Sequence, residues 1–516
     1  AATHTISGTV FEDIAGEVLN DGAIGDASNP GSPGVDVYLY EDTNGNNALN
    51  IGSGDTLIAG PVATDGSGNY SFGSQPDNTY FVVVDSRGIP SAQDPGAAIG
   101  DIWAVQTYGP EGGICASGSG SALEIGSAGP CYGGITSLFS DTLSLPLHRA
   151  RIALSGADST NVDFGFSFNV VVGTEGGDNS DDDGGNSRTV QGSLRQFIQN
   201  ANAISGANSM RFVPVDPANE STWWEIAVSN ALPPITDANT TVDGTAYQLA
   251  DGITIRNTNT GFLGTNAGGG VTVGVDDIAL PQVAAPELEI DSAGVTGNGL
   301  EVRADNVTIR ALAIYGFGST GTALTDGDIA VPSGFSVGGL TVEDNVIGTS
   351  AGSFTDPGAA TRSDGSGVAL QNVTGAQSTV QNNLFGYMDE LAVSILNSDN
   401  VVVSGNESNG VSQGSNIYID AMSAEAGSSN VEFSGNLIDG AQGNGVSLWQ
   451  SAGSHLIRNN TITIVGSGGA QTAAVAVFGT GSTVDLNVIT GNSGPAVVVV
   501  GENPAGGAYS WPTAQD

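Results

Sequence analysis

The sequence contains no lysine, and arginine supplies all 11 basic residues against 54 acidic ones, so the net charge is −43. This deficit argues against a nucleic acid partner, because neutralising a phosphate backbone requires a basic surface. It argues equally against attachment to an anionic membrane surface. No apolar run reaches the ~20 residues that a membrane-spanning helix needs, so membrane insertion is not expected.

Aromatic residues make up only 6% of the chain, yet hydrophobic residues reach 39%. That apolar content is too high for a disordered polyanion and is sufficient for a folded core in a chain of 516 residues. The first residues are Ala-Ala-Thr-His, with no initiating methionine. This start fits a mature form left after removal of a signal peptide, so we expect a secreted protein.

Cysteine is nearly absent, and the two that occur, Cys115 and Cys131, flank a loop rich in glycine and serine. In an exported protein this arrangement predicts one disulfide that closes a short loop. Two free thiols are the alternative that the sequence leaves open.

Changes in composition divide the chain into four segments. Residues 1–85 alternate short apolar strands with turns rich in Gly, Asp, Asn and Pro, which predicts a small antiparallel β-sandwich. Residues 86–172 are predicted to be an irregular β extension that carries the disulfide. Residues 173–191 form an acidic Gly/Asp linker, whose run Asp178–Asp183 is either a solvated charge run or a calcium clamp.

The fourth segment, residues 192–516, begins with one of the few helical patterns in the chain. Leu194, Phe197, Ile198 and Ala201 have the spacing of one helix face, so residues 192–203 are predicted to be a short amphipathic helix. We interpret it as a cap that covers the apolar end of the structure that follows.

Beyond the helix, two short motifs alternate along the chain. After longer first steps of 39 and 38 residues, both recur every 22–30 residues. The first motif places an apolar residue three positions before an asparagine, and the second is a three-residue apolar strand. The asparagines are Asn345, Asn383, Asn406, Asn436, Asn460 and Asn487, and the strands lie at Val302 and at residues 329–331, 368–370, 393–395, 417–419, 446–448, 475–477 and 497–499.

Such a period without intervening helices predicts a solenoid of stacked coils, namely a parallel β-helix. The recurring asparagines would then form a ladder of amides that hydrogen-bond along the solenoid axis. The predicted fold class is therefore all-β, with a β-sandwich followed by a parallel β-helix.

Two resemblances agree with this division. Residues 6–13, 34–40 and 65–72 resemble the B-like domains of serine-aspartate repeat surface proteins, which implies a calcium-stiffened β-sandwich. Residues 162–166, 192–202 and 307–317 are similar to segments of large exported bacterial surface proteins that contain a right-handed β-helix. The resemblances imply architecture more strongly than activity.

A calcium site is predicted in the loop Asp42–Asp55. Its oxygen donors alternate as they do in a calcium-binding loop, although the turn glycine comes early and the closing carboxylate comes late. Asp13 is a further candidate, for this site or for a second one. A solvated hairpin turn is the alternative. The predicted ligands are Asp42, Asn44, Asn46, the carbonyl oxygen of Ala48, Asn50, Asp55 and Asp13.

Enzymatic activity is not expected. Arg303, Arg310, Arg362 and Arg458 are the only basic residues within the repeats, and none lies in a recognisable acid-rich sequence cluster. Carboxylates such as Asp389, Glu390, Asp420 and Asp439 are predicted to lie in turns and do not recur in register, whereas glycosidases need two on one face. The isolated histidines His4, His148 and His455 are better explained by structural roles.

The resulting functional prediction is a non-enzymatic structural protein of a bacterial cell surface, stabilised by calcium, that self-assembles into a filament or layer or acts as an adhesin. Its assembly surface is predicted at Val497, Val498 and Val499, the last core strand. Polysaccharide binding or cleavage is the alternative, with a surface glycan as partner. Exposed indoles would then stack on sugars, and the candidates are Trp103, Trp223, Trp224, Trp449 and Trp511.

Overall fold

The computed structural model describes most of the chain and divides it into two compact units. The N-terminal unit comprises residues 1–219 and 245–256, and the C-terminal unit comprises residues 220–244 and 257–516. Within the part of the chain described, no helix has the length and apolar character needed to cross a membrane. The described residues are 3–116, 122–133, 148–173, 188–319, 324–411, 420–451, 453–463, 465, 472–479 and 481–500.

Two sheets form the N-terminal unit, and buried apolar residues fill the space between them. The first sheet has the strand order Asn69–Gln75, His4–Glu12, Phe164–Ser167, Val105–Gly109 and Gly129–Pro130. The second has the order Arg149–Ala153, Thr79–Val84, Asp36–Glu41 and Thr56–Ala63. The described part of the unit also contains an α-helix, the strands Ile114–Ala116, Ala122–Glu124, Val170–Val171, Asn208–Ser209 and Arg211–Phe212, and the 3₁₀ turns Ser86–Gly88 and Ile99–Asp101.

The sandwich predicted for residues 1–85 is present, but its sheets also take in strands from later in the chain. His4–Glu12 pairs in parallel with Phe164–Ser167, and Thr79–Val84 pairs with Arg149–Ala153. The structure thus joins two segments that the sequence analysis separates at residue 85. The reason is that the early strands bury their apolar faces only when strands from residues 105–167 complete the two sheets.

A single α-helix, Leu194–Ala203, is found among the described residues of the N-terminal unit, where residues 192–203 were predicted. Ser193 caps it, since its side chain accepts a hydrogen bond from the N–H of Gln196 at 3.1 Å. The apolar face is buried. Oδ1 of Asn200 accepts a hydrogen bond from the N–H of Trp103 at 2.8 Å, which holds the helix against that segment. The helix also contacts the short parallel strand Val170–Val171.

The C-terminal unit is a parallel β-helix with three faces, which we name A, B and C. Face A comprises Thr240–Asp243, Thr308–Arg310, Thr341–Glu343, Ser378–Gln381, Asp399–Ser404, Ser429–Ser434, Leu456–Arg458 and Thr483–Asp485. Face B comprises Trp224–Ala227, Leu288–Asp291, Leu312–Tyr315, Val346–Ile347, Leu384–Gly386, Glu407–Asn409, Leu437–Asp439, Thr461–Thr463 and Val488–Thr490. Face C comprises Leu300–Glu301, Gly327–Val331, Ser366–Gln371, Val393–Leu396, Met422–Ala424, Val446–Trp449, Val475–Phe478 and Val497–Val500.

The two motifs of the sequence correspond to faces A and C, and the β-helix prediction is confirmed. Face B was not predicted, because its strands are as short as two residues and directly follow the asparagine corner. One predicted face C strand, residues 417–419, lies outside the described residues. The position in face C is occupied instead by Met422–Ala424, which pairs with Val393–Leu396 and Val446–Trp449.

The predicted asparagine ladder is confirmed and lies at the corner between faces A and B. Each asparagine donates from Nδ2 to Oδ1 of the next at 2.9–3.0 Å, from Asn345 through to Asn487. Nδ2 also donates to a backbone carbonyl one coil earlier, and Oδ1 also accepts the backbone N–H of the preceding asparagine. Every donor and acceptor of an interior amide is thereby used, which explains why a short amide side chain recurs here.

The residue before each ladder asparagine adopts a left-handed backbone conformation, with φ between 53° and 65°. This conformation makes the sharp corner that turns face A into face B. Gly, Asn and Asp adopt it at low cost, and Leu486 is the exception among the six positions.

A segment that the sequence analysis did not identify covers part of the outer surface of face B. This arm, residues 257–286, contains the strand pairs Phe262–Leu263 with Val283–Ala284 and Thr272–Val273 with Ile278–Ala279, and the 3₁₀ turn Thr265–Gly268. Its base is closed by Glu287, whose carboxylate accepts from the N–H groups of Thr258 and Asn259 at 2.6 and 2.7 Å. Farther along, Glu407 accepts from the N–H groups of Thr265 and Asn266.

Replacing a ladder asparagine should lower the free energy of unfolding, and the loss should be larger where the asparagine is more deeply buried. Asn406→Ala removes the partner of two donors on Asn383 and leaves them buried, so we expect a loss of about 3 kcal/mol or more. Asn487→Ala, at the half-buried end of the ladder, should cost clearly less. Gln377→Ala, an exposed amide, serves as the control. Thermal melting followed by circular dichroism ranks the three variants by melting temperature. Equal melting temperatures for Asn406→Ala and Gln377→Ala would refute a stabilising ladder.

Candidate functional site

A cleft of about 280 Å³ opens beside face B in the C-terminal unit. Three connections between faces B and C line it: residues 291–296, Gly316 with Gly318, and residues 359–362 with Asp364. The volume is near the lower limit of about 300 Å³ for small-molecule sites. Hydroxyl groups, carboxylates, backbone amides and one guanidinium all contribute to the lining.

Gly316 allows two of these groups to approach. Its φ is 84°, and a Cβ added there would lie 2.7 Å from the Oγ of Ser292 and 3.2 Å from Oδ1 of Asp291. A glycine is therefore required if the Asp291 carboxylate and the Ser292 hydroxyl are to pack against this connection. Behind it, the N–H of Gly316 donates to Ser363 at 2.9 Å, and Ser363 donates to the fully buried Asp328. Burial raises the pKa of Asp328 well above its usual value.

Arg362 brings the positive charge into the cleft, but that charge is already matched. Its Nε donates to Asp356 at 2.9 Å, and its Nη1 lies 3.5 Å from Asp389. The hydrogen bonds from Arg362 lower the pKa of Asp356. Asp356 precedes Arg362 by six residues on the same connection, whereas Asp389 belongs to the next coil, so the fold places two carboxylates around this arginine.

A row of acidic residues continues from the cleft across the outer surface of face B. Glu225 lies opposite Glu289 on adjacent parallel strands, and Asp291 lies opposite Tyr315. Glu289 is buried and accepts hydrogen bonds from Ser350 and from the N–H of Ala351, both at 2.7 Å. Strand geometry therefore places the carboxylates of Glu225, Glu289 and Asp291 on one face of strands that lie about 4.8 Å apart.

Burial perturbs the titration of this row. It is the largest cause of the raised pKa values of Glu289 and Asp291. It also raises the pKa of Glu225 to about 7, where a hydrogen bond with Glu220 and the charges of Glu289 and Asp291 act in the same direction. A carboxyl that is partly protonated near neutral pH can donate as well as accept, so Glu225 can bond hydroxyl groups or transfer protons.

This site has no clear signal in the sequence, and the acids predicted from the sequence lie elsewhere. Asp439 is the last residue of a face B strand rather than a turn residue, and Asp389 is a partner of Arg362. Glu225, Glu289 and Asp291 precede the clear repeat, so no periodic signal marked them. The pattern Leu-Glu-Ile-Asp at 288–291, with acids alternating with apolar residues, was the only local indication.

The predicted calcium ligands, apart from Asp13, converge in one loop of the N-terminal unit. Asp42 is buried and accepts from the N–H groups of Asn46 and Asn47, and Asn50 accepts from the side-chain amides of Asn44 and Asn46. The N–H of Ala48 donates to Asn46 at 2.9 Å. Asp55 closes the loop, where its Oδ2 accepts the N–H of Asn50 at 2.5 Å and its Oδ1 is buried without a hydrogen-bond partner.

These residues fit a hard cation, because the loop contains a buried carboxylate oxygen without a hydrogen-bond partner and several amide oxygens. Among the described residues no group of three or more His, Cys, Asp or Glu side chains could hold a metal. The Asp42 loop has two carboxylates, so amide and carbonyl oxygens would have to complete the coordination. The run Asp178–Asp183, for which a solvated charge run and a calcium clamp were the alternatives, lies outside the described residues.

Calcium should therefore stabilise the N-terminal unit. Binding at 100 times the dissociation constant contributes about 2.7 kcal/mol, so removing calcium with EGTA should lower that unit's melting temperature by about 5–10 °C. Asp55→Asn retains an acceptor for Asn50 and removes the charge, and it should abolish the response. Asp65→Asn removes one negative charge from an exposed turn of the same unit, and this control should retain the response to EGTA. Identical melting curves with and without EGTA would contradict the calcium site.

Asp13 does not join the Asp42 loop. Its two carboxylate oxygens accept the N–H groups of Glu17 and Val18 at 3.0 and 2.8 Å and so close a local turn. Its neighbour Glu12 accepts the N–H of Ala92 at 2.5 Å. Both side chains are buried, and burial raises the pKa of each to about 7.

These two acids predict that the N-terminal unit loses stability as the pH rises. The folded state retains protons that the unfolded state releases near pH 4.5, so the loss accumulates between about pH 4.5 and pH 7 and persists above. Glu12→Gln can still accept from Ala92 and should raise the melting temperature at pH 8 while leaving it unchanged near pH 4. Glu111→Gln, at an exposed position, is the control. A wild-type melting temperature that is flat between pH 5 and pH 8 would be inconsistent with this account.

The remaining predicted positions occupy the following places. Cys115 and Cys131 form a disulfide with Cα atoms 4.9 Å apart. In the last described strand Val497 and Val499 are 42% and 66% exposed, whereas Val498 is buried in a cluster with Ala476 and Phe478. Self-association at this strand stays a prediction. Of the tryptophans, Trp103 and Trp224 are buried, Trp449 is 37% exposed, and Trp511 lies outside the described residues.

Comparisons with known proteins agree with the fold of the C-terminal unit. Residues 293–492 match the family model described as right handed beta helix region.

Solved structures that are similar to the chain at low sequence identity include a tailspike, an adhesin and an epimerase module. Tailspike protein 2 of Escherichia coli O157:H7 bacteriophage CAB120 is 11% identical, with 70% of this chain and 44% of the tailspike covered and a TM-score of 0.31. PfbA, a surface adhesin of Streptococcus pneumoniae, is 10% identical over 67% of this chain and 96% of the adhesin, with a TM-score of 0.28. The A-module of the Azotobacter vinelandii mannuronan C-5 epimerase is 13% identical over 60% of this chain and 84% of that module, with a TM-score of 0.26. The chain thus spans less than half of the tailspike's length.

Proposed function

We propose that this protein is an extracellular β-helix protein of a bacterial cell surface that binds a saccharide in the cleft beside Asp291. The observation that carries the proposal is the cleft itself, which is lined by hydroxyls, carboxylates, backbone amides and an immobilised arginine. Saccharides present many hydroxyl groups that both donate and accept, and such a lining satisfies both.

Three further properties support the extracellular placement. The disulfide is typical of oxidising compartments. The net charge of −43 keeps the chain soluble and limits binding to nucleic acid. The Asp42 loop suits calcium, which is abundant outside cells and bound weakly by extracellular modules. If the saccharide is part of a glycan on the surface of another cell, binding it would make the protein an adhesin.

Glycoside cleavage is the second candidate, favoured by one observation. Glu225 and Asp291 lie on the same face of adjacent strands, diagonally related by two residues. Cleavage by an acid and a base requires two carboxyl groups about 5–9.5 Å apart on one face. Glu225 would supply the proton and Asp291 would act as the base.

A glycan array with a cleft-filling variant tests the proposal. Ala360 lines the cleft and is exposed, so Ala360→Trp should abolish binding of the glycans that the wild type retains. Ala376→Trp places the same ring on an exposed connection elsewhere in the same unit and should keep them. Glycans bound equally by both variants would show that the cleft is not the site.

The same glycans, incubated in solution, separate binding from cleavage. A binding protein leaves their reducing ends unchanged. Release of new reducing ends by the wild type, and its loss in Glu225→Gln, would favour the second candidate instead.

A further inference from the structure

The charge of the cleft restricts which saccharides it accepts. Asp291 and Asp364 line it, and Arg362 is the only basic residue among the described residues of the lining. Arg362 is held by Asp356 and Asp389, so the three side chains together carry a net charge of −1. Counted with Asp291 and Asp364, the described groups in and around the cleft have a charge of −3, without an unmatched cation.

The neighbouring row adds to this imbalance. Glu289 lies on the same strand as Asp291, and Glu225 lies on the adjacent one. The partners of Glu289 are two hydroxyls and a backbone N–H, and none of these carries a positive charge. Partial burial makes each uncompensated carboxylate costly, which is the cause of the raised pKa of Asp291.

A ligand with its own positive charge would relieve this cost, whereas a uronic acid would increase it. A sugar amine also donates up to three hydrogen bonds, and the Asp291 carboxylate beside Gly316 can accept them. The Ser292 and Thr296 hydroxyls can bond the ring hydroxyl groups, and the Thr361 hydroxyl, which donates to the carbonyl of Pro357, can still accept from them.

We propose that the cleft selects an amine-bearing saccharide, a glycan containing unacetylated hexosamine units, whose ammonium group pairs with Asp291 and Asp364. This inference rests on the proposed saccharide-binding function and specifies its ligand. It predicts discrimination against the N-acetylated and uronic forms of the same sugars, because neither brings a positive charge.

Two oligosaccharides that differ only in the amine provide the test: the hexamers of glucosamine and of N-acetylglucosamine, both β-1,4-linked. Binding is measured by calorimetry at about pH 6, where the amines are protonated. Salt at about 0.15 M screens the non-specific attraction between the cationic hexamer and the acidic protein. The glucosamine hexamer should bind at least about tenfold more tightly, equivalent to about 1.4 kcal/mol.

Variants of the cleft identify where the selectivity arises. Asp291→Asn and Asp364→Asn should each weaken binding of the glucosamine hexamer about tenfold and so reduce its preference over the acetylated hexamer. Glu432→Gln removes one charge from the outer surface of face A and should change neither. Melting temperatures close to that of the wild type confirm that the variants fold.

Each contrary outcome has a distinct meaning. Equal binding of both hexamers, lost together in Ala360→Trp, would overturn the selection of amines while the cleft remains a saccharide site. A preference for the glucosamine hexamer that persists in the Asp291→Asn/Asp364→Asn double variant would assign it to the overall charge and overturn the proposal. Binding of neither hexamer would also overturn it, and the glycan array then decides whether the proposed function fails as well.

Discussion

The axial hydrogen bonding of the asparagine ladder is the constraint on which the C-terminal unit depends. Each amide needs a neighbour at the spacing of adjacent strands, so every coil from Asn345 to Asn487 must turn its corner at the same place. Because the backbone pairs in parallel above and below, a shift of one residue in any coil would expose its core side chains and leave buried amides unpaired. The left-handed residue before each asparagine makes that corner possible, and the faces then follow in fixed order.

The ladder fixes only one corner, and this leaves the other connections free to vary. Those between faces B and C range from a few residues to 18, as between Ile347 and Ser366. They produce the cleft, because residues 359–364 extend from the longest of these connections toward residues 291–296 of an earlier coil. The repeating part of the unit is therefore a scaffold, and the non-repeating part carries the candidate site, as is common for loops on rigid frameworks.

The scarcity of basic residues has a structural consequence in both units. Eleven arginines cannot neutralise 54 acids, so many carboxylates bond to backbone N–H groups and hydroxyls instead. Glu12, Asp13, Glu289 and Asp328 are buried in this way, and their pKa values are raised. The same scarcity leaves the cleft without a free cation, which links the composition of the chain to the ligand we propose.

Periodicity in the sequence was sufficient to predict the β-helix, its asparagine ladder and two of its faces, because each coil repeats the same local environment. The alternating strands of residues 1–85 and the helix at Leu194–Ala203 were also predictable, since each has a local pattern. Face B, the arm at residues 257–286 and the inclusion of Phe164–Ser167 in the first sheet were decided only by tertiary structure. Their strands are too short or too distant in sequence to leave a period. The same holds for the cleft, where Asp291 and Arg362 are brought together by connections that do not repeat.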